Sequence, residues 1–321
     1  MPKPNPQQHN NVEDRQPAPS KPPTRPTRPT PGTFLRPRIT LTPRSRRVPL
    51  LNTRKRLLII VTLAAIYLVG TFIWGRLLDP SAFAVHFDSQ FLPPSWQHLF
   101  GTDFMGRDMF FRSLTGLSNS MIIGLLASLI SSVIALVFGL AAALIGGKVD
   151  KLVLLAIDTC MGLPHLVLVI LISVALGGGV MGVMWGVALT HWPELTRIVR
   201  AEVLQLRSAW YVKSSYKIGK SRWYVGVRHI LPHVLPVYLV GLVLLFPHAI
   251  MHEAAVTFLG FGLPAESHAI GVILSEAMRH LATGQWWLAL FPGLLLISAV
   301  LMFDTIGENL KRLLNPSRAH E

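Results

Sequence analysis

The stretch Leu57–Trp74, which reads LLIIVTLAAIYLVGTFIW, sets the fold class of this chain. It contains 18 consecutive residues without a charged side chain. As an α-helix it would be about 27 Å long, which is enough to cross the hydrocarbon core of a bilayer. Because a secretory signal would begin much closer to Met1, we interpret this run as an uncleaved transmembrane helix.

The composition extends this interpretation to the rest of the chain. Of the 321 residues, 51% are hydrophobic and 14% are charged, whereas soluble domains carry about 25% charged residues. The net charge of +14 is compatible with nucleic-acid binding, but the charges lie in tails and loops between apolar runs. The single cysteine, Cys160, excludes a disulfide within the chain. We therefore expect a membrane protein that binds no nucleic acid and no cofactor of its own.

Five further apolar runs predict an all-α polytopic membrane protein with about six transmembrane helices. The runs cover approximately residues 120–145, 152–176, 180–192, 234–260 and 286–303. Of the 30 Lys and Arg residues, 26 fall in segments on the side of the N terminus and 4 fall on the opposite side. This asymmetry predicts that both termini are cytoplasmic.

The spans divide the chain into predicted parts. Residues 1–56 hold 13 of the 24 prolines and 13 of the 30 basic residues, which predicts a disordered cytoplasmic tail because such a segment buries little apolar surface. The first helix, an outside loop, a five-helix core and a cytoplasmic C-terminal tail follow over residues 57–74, 75–119, 120–308 and 309–321. Within the core, the basic loop at about residues 193–233 is long enough to be a docking element.

The outside loop contains the string Gly101-Thr102-Asp103-Phe104-Met105-Gly106-Arg107-Asp108 directly before the second span. Further motifs are Arg197-x-x-Arg200, Phe258-Leu-Gly-Phe-Gly262 and Pro292-Gly293. With them, about residues 57–316 resemble the dipeptide/oligopeptide/nickel permease family of ABC importers, in particular its C-type membrane subunit. The resemblance implies the type I importer permease fold and half of a translocation channel.

The resemblance also implies partners. These are a homologous second permease, two ATP-binding subunits that use ATP and Mg²⁺, an extracytoplasmic substrate-binding protein and the lipid of a bacterial inner membrane. The chain itself would be a permease and no enzyme. The residues expected on the side of the binding protein are Gly101, Thr102, Asp103, Gly106, Arg107 and Asp108.

The basic loop resembles the coupling helix of these permeases, whose pattern is Glu-Ala-Ala-x-x-x-Gly followed by Leu-Pro. The matching positions are Lys213, Ser214, Ser215, Gly219, Leu231 and Pro232. A lysine replaces the acid and serines replace the alanines, while the glycine and Leu-Pro are retained. Docking on the ATPase is the implied role. A phosphate-binding loop is excluded because its required first glycine would be Ser214.

Ionisable side chains inside predicted spans are costly and therefore point to function. They are Asp158, His165, His248, His252, Glu253 and Asp304. The two aspartates could instead pair with a cation at the membrane interface. His248 and His252 share one helical face, where neutral imidazoles could bind nickel, copper or zinc, or serve a structural or gating role. Asp158, His248, His252 and Glu253 are our candidates for the translocation path.

The nickel-type members of the family resemble this chain at His248-x-x-x-His252 and at Thr190-His191-Trp192. The resemblance thus favours import of nickel or of a transition-metal chelate, and import of dipeptides or oligopeptides is the alternative. A secondary transporter or a membrane scaffold built on the proline-rich tail is less favoured. Six spans without internal self-similarity, together with a large docking loop, fit half of a channel better.

Overall fold

The structure is a computed structural model that describes residues 53–314. Most of the predicted tail, residues 1–52, and residues 315–321 lie outside the described residues. Between 53 and 314 the chain is almost entirely helical, and an isolated bridge between Thr102 and Asp108 is the one β interaction there. The expectation of an all-α fold is confirmed.

Ten α-helices follow one another in the described part of the chain. They are α1 (Thr53–Leu77), α2 (Met109–Ile145), α3 (Gly147–Met161), α4 (His165–Ala175), α5 (Gly179–Arg207), α6 (Trp210–Lys217), α7 (Arg222–Val225), α8 (Leu231–Phe258), α9 (Ile270–Leu281) and α10 (Trp287–Leu314). A π-helical turn, Gly226–Ile230, joins α7 to α8. We name the two ends of the helix bundle the α9 face and the α6 face after the short helices that lie there.

Several helices are long and apolar enough to cross a membrane. Among the described residues these are α1, α2, the continuous α7–α8 segment Arg222–Phe258 and α10, and the bent pair α3–α4 forms a fifth. The predicted fourth span, residues 180–192, is the first half of α5, whose second half is polar and charged. By length and composition this is a multi-pass membrane protein.

Helix α2 begins at Met109, well before the predicted start near residue 120, so the preceding loop is shorter than expected. The Asp108 side chain caps the helix by accepting hydrogen bonds from the N–H groups of Phe110 and Phe111 at 2.9 and 3.4 Å. Arg112 in the first turn is paired with acids. The predicted boundary was too late because capped and ion-paired residues continue a helix beyond its apolar run.

The predicted third span is two helices, α3 and α4, that meet at 97°. The break falls at residues 162–164, where Pro164 lacks an N–H and disfavours helical backbone at Leu163. Helix α4 then packs closely on α5, because a Cβ on Gly182 or Gly186 would lie only 2.6 or 2.9 Å from backbone carbonyl oxygens of α4. Because the break ends at Pro164, His165 is the first residue of α4 and lies directly after the bend.

Helix α5 continues to Arg207, beyond the predicted end near residue 192, although it contains Pro193. A proline cannot donate to the carbonyl of Leu189 one turn earlier. The indole N–H of Trp192 donates to that carbonyl instead, at 3.0 Å. The docking loop consequently starts at Ser208, and the predicted start at residue 193 was too early.

The remaining helices complete the bundle. Helices α8 and α10 correspond to the predicted spans at 234–260 and 286–303, and α10 continues past residue 308. Helix α9 was not predicted; its buried residues include Ile270, Ile273 and Ala277, which pack in one core cluster with residues of α2, α8 and α10.

Candidate functional site

The loop before α2 is organised around the carboxylate of Asp103. Its Oδ1 atom accepts hydrogen bonds from the backbone N–H groups of Met105 and Arg107 at 2.8 and 2.9 Å. Its Oδ2 atom accepts from Arg107 Nε at 2.7 Å and from Arg112 Nη1 at 3.0 Å. Asp103 is 2% exposed, so its carboxylate shapes the loop from within.

Arg112 extends this network from α2 to α9. Its Nη2 atom donates to Glu276 Oε2 at 2.6 Å. Glu276 is a residue that the sequence did not single out, because nothing in the pattern pairs it with a position 164 residues away. In the same region, burial and the cations of Arg112 and Arg107 lower the pKa of His268. The ion pairs hold the loop, the start of α2 and α9 together at the α9 face.

Most of the residues predicted to face a binding protein point inward. The buried ones are Gly101, Thr102, Asp103, Gly106 and Asp108. Gly106 has φ +73° and a Cβ there would clash with the carbonyl group of His86, so only glycine fits. The string forms the inner frame of the loop, whereas its neighbour Trp96 is 97% exposed and open to contact.

The predicted coupling element forms a short helical hairpin at the α6 face. Lys213, Ser214 and Ser215 lie on α6, and Gly219 follows its end with φ +87°. The N–H of Lys220 donates to the carbonyl of Ser215 at 3.2 Å, which closes the helix. Gly219 thus forms the turn between α6 and α7. Leu231 and Pro232 open α8, with the proline in the first turn, where its missing N–H costs nothing.

This hairpin is fixed to the core and exposes aromatic and cationic groups. Val212, Val225 and Ile230 are fully buried in one core cluster with residues of α2, α3 and α5. The exposed residues, which we call the α6 surface, are Trp210, Lys213, Lys217, Ile218, Lys220, Arg222 and Trp223. Exposed large apolar side chains among cations are typical of a protein-binding surface.

The predicted path residue Asp158 lies on α3 and forms an ion pair. Its Oδ1 atom accepts from Arg197 Nη2 at 2.7 Å, and both side chains are largely exposed. A second, bidentate pair joins Asp150 to Arg200 at 2.6 and 2.7 Å. Both ion pairs join α3 to α5. Of the two roles that the sequence left open for Asp158, the structure contains the pairing with a cation.

Glu253, another predicted path residue, is fully buried at 0% exposure on α8. Its Oε1 atom accepts from Thr257 Oγ1 at 3.1 Å. Its Oε2 atom has no hydrogen-bond partner among the described residues. The carboxyl group lies within the helix packing and does not face an open path in this structure.

Three histidines from three helices converge inside the bundle. His165 opens α4, His191 lies midway along α5 and His252 lies near the end of α8. The ring centroids are 4.5 to 4.8 Å apart. One nitrogen atom of each ring lies within 4.8 Å of the other two, an arrangement that could hold a metal ion. We call these residues the histidine cluster.

The cluster corrects the predicted metal pair. His252 is a member, but His248 is exposed, and its Nδ1–H donates to the Leu244 carbonyl at 2.9 Å along its own helix. Spacing of i, i+4 places two side chains on one face without bringing their ring nitrogens together. In the sequence, His165 stood out only as a histidine inside a predicted span, and His191 only as part of a nickel-type motif. They were not joined into one site, because no sequence pattern links positions on separate helices.

The tautomers of two rings follow from their hydrogen bonds. His191 Nδ1 lies 2.8 Å from the Val187 carbonyl oxygen, and His252 Nδ1 lies 2.8 Å from the His248 carbonyl oxygen. Because a carbonyl oxygen only accepts, each Nδ1 carries the hydrogen, and each neutral ring keeps its lone pair on Nε2. His165 Nε2 is buried and has no hydrogen-bond partner among the described residues.

The fold and these sites define a class of protein, a helical membrane protein with a short helical hairpin at one end and a loop held by ion pairs at the other. The chain belongs to the family of binding-protein-dependent transport system inner membrane components, whose family model matches residues 135–319. It is a permease subunit of an ABC importer, and ATP hydrolysis occurs on a separate subunit. Its partners include an ATPase and a substrate-binding protein.

Individual relatives align with most of the chain. The dipeptide transport system permease protein DppC of Bacillus subtilis is 33% identical over 243 residues, which are 75% of this chain and 76% of that protein. A putative peptide transport system permease protein of Brucella suis is 36% identical over 260 residues, 81% and 85% of the two chains. The probable D,D-dipeptide permease protein DdpC of Escherichia coli is 32% identical over 243 residues, 76% and 80% of the two chains. The family resemblance is confirmed, and its nickel-type part gains no support from these relatives.

Proposed function

We propose that this chain forms half of the channel of an ATP-driven importer of dipeptides or oligopeptides in a bacterial inner membrane. The identity of the cargo rests on one observation: relatives that align over most of their length are named peptide permeases. A homologous permease supplies the other half of the channel, and two ATP-binding subunits drive it. Import of a metal, which the sequence favoured, becomes the second candidate.

The orientation follows from charge. With 26 of the 30 basic residues on the side of the N terminus, the α6 face is cytoplasmic and the α9 face is extracytoplasmic. The α6 surface then meets the ATPases, and the loop with Trp96 meets the binding protein.

Coupling runs through the hairpin. Helix α6 follows directly on α5, and α7 continues through the π turn into α8. Because Val212 and Ile230 anchor the hairpin in the core, a displacement of the α6 surface moves the ends of α5 and α8 together. Two packed helices that shift as a unit are a known form of switching motion.

The histidine cluster favours the second candidate, import of a transition-metal chelate. Imidazole is a preferred ligand of nickel, copper and zinc. Under this hypothesis, the cluster would be a relay for the cargo ion on its way through the membrane. As evidence for the identity of the cargo, the names of the relatives, which refer to peptide transport, outweigh the histidine cluster. A polar cluster can have another role in the same channel.

The two candidates separate in a transport assay. Uptake of a labelled dipeptide, a labelled tripeptide and radioactive nickel is measured in cells with the gene deleted and in cells complemented with it. We expect deletion to abolish peptide uptake and to leave nickel uptake unchanged. Loss of nickel uptake alone would establish the second candidate, and loss of neither would overturn both.

A matched control identifies the energy source. The complemented cells are depleted of ATP while the membrane potential is kept, and peptide uptake is measured again. Uptake should stop, since ATP closes the partner subunits in this mechanism. Uptake that persists on the ion gradient would support a secondary transporter.

A further inference from the structure

We propose that the histidine cluster binds one divalent first-row transition-metal ion and that the bound ion clasps α4, α5 and α8 together. This makes the cluster a metal-operated brake on transport, separate from the cargo. The proposal rests on the proposed peptide cargo only for its transport readout, since binding is measured directly.

The donor geometry is close to that of a metal centre. One nitrogen atom of each ring lies within 4.8 Å of a nitrogen atom of each of the other two rings. Ligands of a tetrahedral ion with bonds of about 2.0–2.1 Å lie about 3.3 Å from one another. Rotation of the imidazole rings about their side-chain bonds would have to shorten these distances for three lone pairs to reach one ion.

The hydrogen bonds of the Nδ1 atoms prepare two of the rings for metal. In His191 and His252, the Nδ1–H donates to a backbone carbonyl one helical turn earlier. A metal-bound histidine characteristically makes such a bond with its other nitrogen, which fixes the ring and leaves Nε2 as the ligand. Both rings therefore have the tautomer that a metal ion requires.

An unsatisfied atom points to the same ligand. His165 Nε2 is buried without a hydrogen-bond partner among the described residues, and a buried nitrogen without a partner is costly. A metal ion would satisfy it. The described residues contribute no carboxylate to the group, and three neutral imidazoles favour zinc, nickel or copper over magnesium or calcium.

Because of where the cluster lies, a bound ion would affect the helices that move during transport. Helix α5 leads into α6, and α8 follows directly on the turn after α7, so the two helices that carry His191 and His252 are those that the coupling hairpin moves. His165 adds α4 just after the 97° bend. An ion held by all three helices resists their relative movement and slows the transport cycle.

Binding is tested on the assembled transporter in detergent, purified without a polyhistidine tag. Zinc and nickel binding are measured by isothermal titration calorimetry for the wild type and for His165→Ala, His165→Gln and His252→Ala. We expect one ion per copy of this chain, and in each variant a loss of affinity at least as large as the roughly 10–100-fold that loss of an outer-shell partner causes. The control variant His248→Ala lies on the same helix outside the cluster and should bind like the wild type.

Thermal unfolding distinguishes a variant that has lost the binding site from a variant that fails to fold. Zinc should raise the unfolding temperature of the wild type and of His248→Ala, because a ligand of the folded state stabilises it, and it should leave the cluster variants unchanged. The proposal is overturned if the wild type binds no ion, if the cluster variants bind as tightly as it does, or if His248→Ala alone loses binding.

The brake is tested in proteoliposomes that take up a labelled dipeptide. Zinc at a concentration that fills the site should slow wild-type uptake, whereas the His252→Ala transporter should take up peptide at the same rate with zinc as it does without zinc. Accumulation of the metal inside the vesicles would identify it as cargo and overturn the brake. Absence of peptide uptake without metal would instead contradict the proposed cargo and leave the binding result standing.

Discussion

At the residue scale, Asp103 shows how a motif residue acts through its surroundings. Its two oxygen atoms accept four hydrogen bonds from Met105, Arg107 and Arg112. The sequence placed this residue in a functional string, and its burial shows that it holds the loop and the start of α2 in shape. A direct contact with a binding protein is left to exposed neighbours.

The substitution Asp103→Asn tests this role. It removes the negative charge between two arginines, one of them buried, and breaking a buried pair costs about 3–5 kcal/mol. We expect a clear drop in the thermal unfolding temperature of the detergent-solubilised transporter, together with reduced uptake.

Asp158→Asn is the matched control, because the same change breaks an ion pair that is largely exposed. Such pairs contribute under about 1 kcal/mol, so its unfolding temperature should stay near that of the wild type. Equal effects of the two substitutions would contradict a structural centre at Asp103.

At the element scale, the hairpin that we propose couples to the ATPases turns at a single left-handed residue. Gly219 has φ +87°, and the position that a Cβ would occupy there has no atom within 4 Å, so a side chain meets backbone strain without a clash. Alanine in this conformation costs about 1–2 kcal/mol. The strain falls on the turn that sets α6 against α7.

We expect Gly219→Ala to reduce peptide uptake several-fold while the protein level in the membrane is unchanged, because the α6 surface no longer matches its partner. Uptake and peptide-stimulated ATPase activity are the measurements. Gly284→Ala is the control: φ is +97° there, the space around it is equally open, and it lies between α9 and α10. If both variants transport alike, the turn has no part in coupling.

At the scale of the whole molecule, we expect the permease core to transport without the proline-rich tail. The family match covers residues 135–319 and α1 begins at Thr53, so both lie outside residues 1–50. We expect deletion of residues 1–50 to leave peptide uptake at the wild-type level in cells with equal amounts of protein in the membrane.

The opposite outcome has a definite meaning. Loss of uptake by a truncated chain that still reaches the membrane would show that the tail takes part in transport. Loss of a partner from the complex with uptake intact would assign the tail to docking alone.

Much of the architecture was predictable because the bilayer imposes local rules on a chain. A helix that crosses it needs about 20 apolar residues, and basic loops stay inside, so spans such as Leu57–Trp74 and the long basic loop between α5 and α8 were evident from composition and spacing. The ends of α2 and α5 were misplaced because the cap at Asp108 and the bond from Trp192 to Leu189 extend helices through polar or proline positions.

Composition, spacing and charge along the chain were enough to indicate a helical membrane protein and the order of most spans, and the family resemblance pointed to Gly219. The bend at residues 162–164, the bridge from Arg112 to Glu276 and the meeting of His165, His191 and His252 became visible in the folded chain alone. The physical reason is that hydrophobic length and charge act along the chain, whereas a cluster depends on which helix faces pack together. No periodicity within one helix encodes the side chains of its neighbours.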